Sequence, residues 1–285
     1  MLADLKELWK YRELLVSMVE RELRIRYKNS MLGFFWSLLN PLVTVLVMTL
    51  VFKNLLGNTM LNYSAYVLAA YLPFMFFQTS IMDSAQSILY ALPLIRKIYF
   101  PREILPLASI IGNFIHLILA LLVFFVYLAA VYAINPQISP FQLSALLMPL
   151  LILINLMLAA GIGLIVSALN TFYEDVKYIT GVALYLMFFL CPIMYFSEAV
   201  MYSKQLEPRP TIYFIYHLNP VATLCTAYRK VLLAPQPVDI GGAEKVPSMP
   251  LDWTMLGIAS FTSFGTLVFG YWLFNLLKWR FVERP

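Results

Sequence analysis

The sequence predicts an all-α membrane protein with six transmembrane helices, an N-terminal amphipathic interfacial helix and two short re-entrant helices before the last span. Composition and pattern carry that prediction together. Hydrophobic residues fill 61% of the 285 positions and charged residues 12%, with a mean hydropathy of +0.78, whereas soluble domains run at about 45–50% and about 25%. Between Glu103 and Glu174 there is no Lys, Arg, Asp or Glu, so a water-soluble fold would need a very large core around that stretch. Lipid is the simpler solvent. Apolar runs also recur at the length of a bilayer crossing, about 20 helical residues.

Measured against that length, six spans fall at 32–52, 63–82, 104–134, 141–169, 178–196 and 253–277. The long uncharged stretch holds two of them, parted at the breakers Asn135-Pro136 and Ser139-Pro140. Spans three and four exceed the minimum length and have room to tilt. Residues 1–31 form a cytoplasmic interface region, in which Val16, Val19, Leu23 and Tyr27 recur at helical spacing while Glu20, Arg21, Arg24 and Lys28 point elsewhere. Such a helix serves equally as a basic anchor for anionic lipid or as a docking element. Residues 84–103 read as a cytoplasmic helix between spans two and three. Residues 197–252 are too polar to span, yet Ile212–Tyr216 and Val221–Leu233 are apolar enough for two short helices broken at Asn219-Pro220. Backbone at membrane depth must be helical or protein-covered, which suits a dip into the outer leaflet and back. Pro235–Pro250 reads as an exposed external loop, and 278–285 as a cytoplasmic tail.

Charge sets the orientation. Fourteen of the twenty Lys and Arg residues fall on the side of the N-terminus: seven before the first span, then Arg96, Lys97, Arg102, Lys177 and the C-terminal three. Both termini are therefore expected in the cytoplasm, and the formal charge of +5 reflects membrane topology rather than a nucleic-acid partner. The charged first thirty residues do not read as a cleavable signal, so the first span is expected to direct insertion. Cys191 and Cys225 lie in apolar surroundings with no CxxC pair or nearby His, which indicates buried thiols, with no metal or disulfide framework. No internal repeat is visible, which weighs against an inverted-repeat transporter.

Three segments carry chemistry. LIRKIYFPREILP, residues 94–106, sets Arg96 and Lys97 beside Tyr99 and Phe100, then turns at Pro101 before Arg102 and Glu103. Such an element either holds a span at the headgroups or plugs into a partner's cleft. NTFYEDVK, residues 170–177, places Glu174 and Asp175 beside Lys177 and within reach of a basic N-terminal helix bearing Arg21, Arg24 and Arg26. This is a solvated loop or an electrostatic latch. Single exposed pairs contribute less than about 1 kcal/mol, so only a network would transmit force. ERELRIRYKNSMLGFFWSLLNP, residues 20–41, runs from a charged helix through a turn into paired aromatics, Trp36 and Asn-Pro.

In order and spacing, these segments, with NPVATLCTAYRKVL at 219–232, resemble the membrane (permease) subunits of ABC-2-type exporters of O-antigen, capsule and teichoic-acid polymers, and the likeness covers essentially the whole chain. The resemblance implies the six-span ABC-2, or type V exporter, fold. It also implies that Arg96, Lys97, Tyr99, Phe100, Pro101, Arg102 and Glu103 belong to a coupling helix that receives motion from an ATPase. No GxxxxGK[ST] loop is present in the sequence. ATP and Mg are therefore expected on a separate nucleotide-binding subunit, with two copies of each chain in the working complex. The chain is expected to hold no cofactor and to catalyse nothing alone.

Aromatic residues mark a possible route. Tyr63, Tyr66, Phe74 and Phe77 share one face of span two, and Tyr178, Tyr185, Phe189 and Phe196 one face of span five. Such stripes pack against lipid or neighbours, or they stack on sugar rings. With Phe35 and Trp36, the residues Tyr66, Phe74, Phe77, Tyr185 and Phe189 are the candidate channel lining. Ionisable groups in the spans are few: Asp83 at the inner end of span two and His116 alone in span three, too sparse for a proton relay. A competing class is a membrane-embedded enzyme acting on a lipid carrier, such as a polymer ligase or acyltransferase. It would need convergent acids and bases, but Glu198, Glu207, Asp239 and Glu244 are scattered with only His217 nearby.

Overall fold

The computed structural model describes residues 2–27, 35–51, 62–134, 142–202, 207–238 and 245–282. All regular structure among them is helical; two isolated bridges, Tyr202–Pro208 and Val238–Val246, are the extended pairings. In order the helices are α1 (Leu2–Lys10), α2 (Arg12–Tyr27), α3 (Phe35–Thr49), α4 (Tyr63–Tyr90), α5 (Leu92–Ile95), α6 (Ile104–Ile134), α7 (Met148–Phe172), α8 (Asp175–Leu190), α9 (Glu198–Met201), α10 (Pro210–His217), α11 (Pro220–Leu232) and α12 (Trp253–Leu277). Short 3-10 turns precede α7 at Leu143–Leu147 and follow α12 at Lys278–Val282.

Among the described residues, four helical stretches are long and apolar enough to cross a membrane: Tyr63–Tyr90, Ile104–Ile134, Leu143–Phe172 and Trp253–Phe281. At 1.5 Å per residue, α6 reaches about 46 Å, more than the roughly 30 Å of a bilayer core. Leu39–Thr49 is a shorter apolar helix, and α8 has 16 residues.

The core forms where α4 and α7 pack on each other, with α6 and α11 against α4 and α12 against α7. Asn62 enters α4 with φ 55°, a left-handed conformation that Asn tolerates. Pro73 interrupts the α4 hydrogen-bond ladder, and side chains serve the carbonyls around it: Asn155 of α7 donates to Pro73 O at 3.1 Å and the Cys225 thiol to Ala70 O at 3.8 Å. Both cysteines are free and buried. Asn170 at the end of α7 donates to Ala85 O at 2.7 Å and accepts from the Lys177 backbone N–H at 3.0 Å, joining α7, α4 and the start of α8.

Several sequence-based boundaries shift for physical reasons. The helix of span two runs past residue 82; α4 continues to Tyr90, because Gln86 and Ser87 are polar yet compatible with a helix. Asp83 therefore lies inside α4, where it accepts from Asn113 Nδ2 of α6 at 2.8 Å. His116 lines a small cavity with Thr79 and Asn113. The single helix expected over 84–103 is the end of α4, then the four-residue α5 started by Pro93, then non-helical backbone into α6. Helix α8, where a span over 178–196 is expected, ends at Leu190, since Pro192 forces Cys191 into an extended conformation at φ −87°, ψ 149°. The amphipathic region holds two helices. The inward face of α2 is centred on Met18 and Val19, with Val16 exposed, because α2 packs on α6 through that side. The expected start of span one at residue 32 lies outside the described residues.

Candidate coupling surface and translocation face

The segment 96–103 divides into an outward and an inward half. Arg96, Lys97 and Tyr99 are exposed, as is Ile98. Tyr99 donates to Glu7 Oε1 of α1 at 3.1 Å, so the outward half touches the N-terminal helix; accepting that bond holds the carboxylate in place and raises the phenol above its ordinary pKa. Phe100 and Pro101 are buried, Phe100 in a cluster with Ile88, Ile95, Ile104 and Phe274. The two remaining charges turn towards the C-terminal 3-10 turn. Glu103 Oε1 accepts from Lys278 Nζ at 2.8 Å, with both side chains buried. The Arg102 guanidinium donates to the Lys278 carbonyl and stands 5.9 Å from the Phe281 ring centroid. Phe281 is enclosed by Phe172 of α7 at 5.7 Å and Phe274 of α12 at 5.5 Å.

The charges expected to form a latch occupy two places. Arg21 pairs with the adjacent Glu22 at 3.2 Å, and Arg24 is exposed on α2. Glu174 and Asp175 are exposed at the start of α8, and the Lys177 ammonium sits 4.9 Å from the Tyr178 ring centroid. The side chain of Arg26 lies outside the described residues.

The aromatic candidates also divide. Phe74 and Phe77 are each 1% exposed, and Phe74 packs against Phe188 of α8 at 5.7 Å. Tyr66 is buried beside Phe196 at 5.0 Å. Within one chain these three are core. By contrast Tyr185 and Phe189 are 61% and 47% exposed, in edge contact at 5.2 Å, and Tyr178 extends the same open stripe of α8. The side chains of Phe35 and Trp36 lie outside the described residues.

A third cluster escapes linear reading. Arg229, in the last turn of α11, is buried and donates Nε to Tyr66 O at 3.0 Å, Nη1 to Tyr195 O at 3.2 Å and Nη2 to Ile193 O, while its guanidinium lies 3.7 Å from the Tyr66 ring centroid. Lys230 pairs with the buried carboxylate of Glu198 and donates to Ser248 Oγ at 2.9 Å. These groups wall a cavity of about 300 Å³ with Asn62, Gln142 and Ser144. Burial alone pushes the Glu198 carboxyl up, but the Lys230 ammonium and the Met249 N–H outweigh it and hold the group below the usual carboxylate range. His217 stacks on Tyr213 at 4.0 Å, shares a hydrogen bond with Thr226 Oγ1 at 3.2 Å, and is pushed below the ordinary imidazole value by burial. The signal in the sequence was a pair of cations on an otherwise apolar short helix; their partners, far away along the chain, left none.

Apolar helices of membrane length, joined by buried polar ties, define an all-helical integral membrane protein. The chain belongs to the ABC-2 type transporter family, whose profile matches residues 13–233. It is 28% identical to the O-antigen export system permease protein RfbA of Klebsiella pneumoniae over 95% of this chain and 94% of that protein. It is 30% identical to the protein of the same name from Myxococcus xanthus, over 81% of this chain and 84% of that one.

Proposed function

We propose that this chain is the membrane-spanning subunit of an ATP-driven exporter that carries a lipid-linked polysaccharide, of O-antigen, capsule or teichoic-acid type, to the outer side of the bacterial plasma membrane. The observation that carries the reading is the likeness, over nearly the full length, to proteins named as O-antigen export permeases. In this reading α3, α4, α6, α7, α8 and α12 are the six spans, with α3 and α8 the short ones, and α10 and α11 the external re-entrant pair. The excess of Lys and Arg on the side of the N-terminus supports a cytoplasmic location for both termini.

Two copies form the conduit, and two separate ATPase subunits hold ATP and Mg. The exposed Arg96, Lys97 and Tyr99 dock the ATPase, while Phe100 and Pro101 anchor the docking segment in the core. Arg21, Arg24, Arg26, Glu174, Asp175 and Lys177 form the charged cytoplasmic rim around it. The open aromatic stripe of α8, Tyr185 and Phe189, faces the polymer, stacking on the C–H faces of sugar rings so that a chain can slip without tight binding at any one point. Phe35 and Trp36 of α3 are further candidates for that wall, and Phe74, buried against Phe188 of α8, supports it from behind. Co-expression with an ABC ATPase encoded beside the chain tests the reading: the two proteins co-purify, and cells lacking the permease regain surface polymer only when both are present. A permease that restores surface polymer without any ATPase would refute it.

A further inference from the structure

We propose that Lys278, through its buried ion pair with Glu103, is a positioning residue that makes segment 96–103 and α12 one moving part. A stroke received at Arg96, Lys97 and Tyr99 is then delivered to α12, rather than absorbed in the turn before α6. The inference rests on the reading that this segment docks an ATPase.

The geometry joins elements from opposite ends of the sequence. Glu103 immediately precedes α6 and Lys278 immediately follows α12, yet Oε1 and Nζ are 2.8 Å apart in a buried setting. Arg102 adds a second tie, to the Lys278 carbonyl, and a third, to the face of Phe281. Stability is a weak reason for this construction. A buried ion pair is often no better than apolar residues of the same volume, and Glu103 Oε2 is buried with no hydrogen-bond partner among the described residues. What the pair does provide is register: it fixes one end of α12 to the segment, where apolar contacts alone would permit sliding.

Downstream of Lys278 the route is stiff. α12 meets α7 backbone to backbone at Gly270 and Gly161, so the two helices shift together. The opposite face of α12, with Phe261, Phe264, Phe269, Trp272 and Leu276, is exposed among the described residues. α12 also packs against α11, which places the far end of the same rod under the external segment. The test measures motion and output separately.

In complexes of the full chain with its ATPase that still hydrolyse ATP, spin labels are placed on Ile98→Cys and Leu276→Cys, both exposed in the wild type; Cys191 and Cys225 are buried and stay unlabelled. The expected label distance is the same without nucleotide, with ATP and after hydrolysis. A distance that changes with nucleotide in the wild-type background overturns the proposal. In parallel, Lys278→Met is expected to keep ATPase association and basal hydrolysis while polymer exported per ATP falls by about tenfold, within the usual range of coupling between sites. Lys278→Arg retains the wild-type ratio, and exchange of the charges in Glu103→Lys/Lys278→Glu recovers part of it. Wild-type export per ATP in Lys278→Met also overturns the proposal. Should Lys278→Met fail to fold, the wild-type label distance decides. Failure of the docking reading has its own signature, a wild-type chain that associates with no ATPase.

Discussion

Gly161 of α7 and Gly270 of α12 bring two helix backbones into direct contact: a Cβ on Gly161 would lie 2.6 Å from the backbone of Thr266 and Leu267, and one on Gly270 would overlap the Gly161 carbonyl oxygen. Between helices in lipid, close packing replaces the hydrophobic drive available in water. Gly270→Leu is therefore expected to destabilise the chain by about 3 kcal/mol, at the upper end of ordinary overpacking. Gly257 and Gly265 sit on the same helix with nothing within 4 Å of an added Cβ. Gly257→Ala and Gly265→Ala should leave stability unchanged or raise it by up to roughly 1 kcal/mol. Thermal melts in detergent separate the two outcomes.

Arg229 binds three backbone carbonyls that surround it. Arg229→Met removes all three donors from a buried place, with an expected loss on the order of 3 kcal/mol. Arg229→Lys should recover only part, because one ammonium cannot reproduce the planar fork that reaches Tyr66, Ile193 and Tyr195 together. Melting temperature of the purified chain, wild type against both variants, checks this ordering.

Acid should loosen α10 and α11 in two steps. Both His217 and Glu198 are lowered on folding, so the unfolded chain binds the extra proton and stability falls as pH falls. The His217 contribution is complete above its unfolded value near 6.5 and declines below it; the Glu198 contribution declines below about 4.3. Hydrogen-exchange protection factors across α10 and α11, with the pH dependence of intrinsic exchange divided out, should fall between about pH 7 and about pH 5. His217→Gln should flatten that first step and leave the more acidic one.

Two kinds of aromatic residue predict two kinds of defect. Phe74→Ala removes a core side chain and should cost about 3–5 kcal/mol, seen as less protein in the membrane. Tyr185→Ala with Phe189→Ala alters an open face, so protein level should stay normal while surface polymer falls. Immunoblots of membranes beside polymer quantification distinguish these cases; normal export in the double variant would remove α8 from the conduit.

How much was legible follows from which signals are local. α6 and α12 were readable to within a residue because their apolar runs are bounded by Glu103 and Asp252, the latter capping α12 by accepting from Thr254 and Met255 N–H. The break at Asn219-Pro220 was readable for the same reason: the Asn219 side chain accepts from Val221 N–H at 3.0 Å and caps α11. Hydropathy overran the end of α8, since residues 191–196 stay apolar; the Pro192 signal was present but outweighed. The aromatic stripe on α4 looked like the one on α8, and only packing showed one to be buried and the other open. Glu103–Lys278 and Lys230–Glu198 were beyond linear reading, because no periodicity links residues so far apart.

The most direct measurement is polymer movement into proteoliposomes holding the purified chain together with its ATPase. The account predicts transport that requires ATP hydrolysis and ceases when either protein is omitted. Transport, or chemical modification of the polymer, by the chain alone without a nucleotide-hydrolysing companion would contradict it.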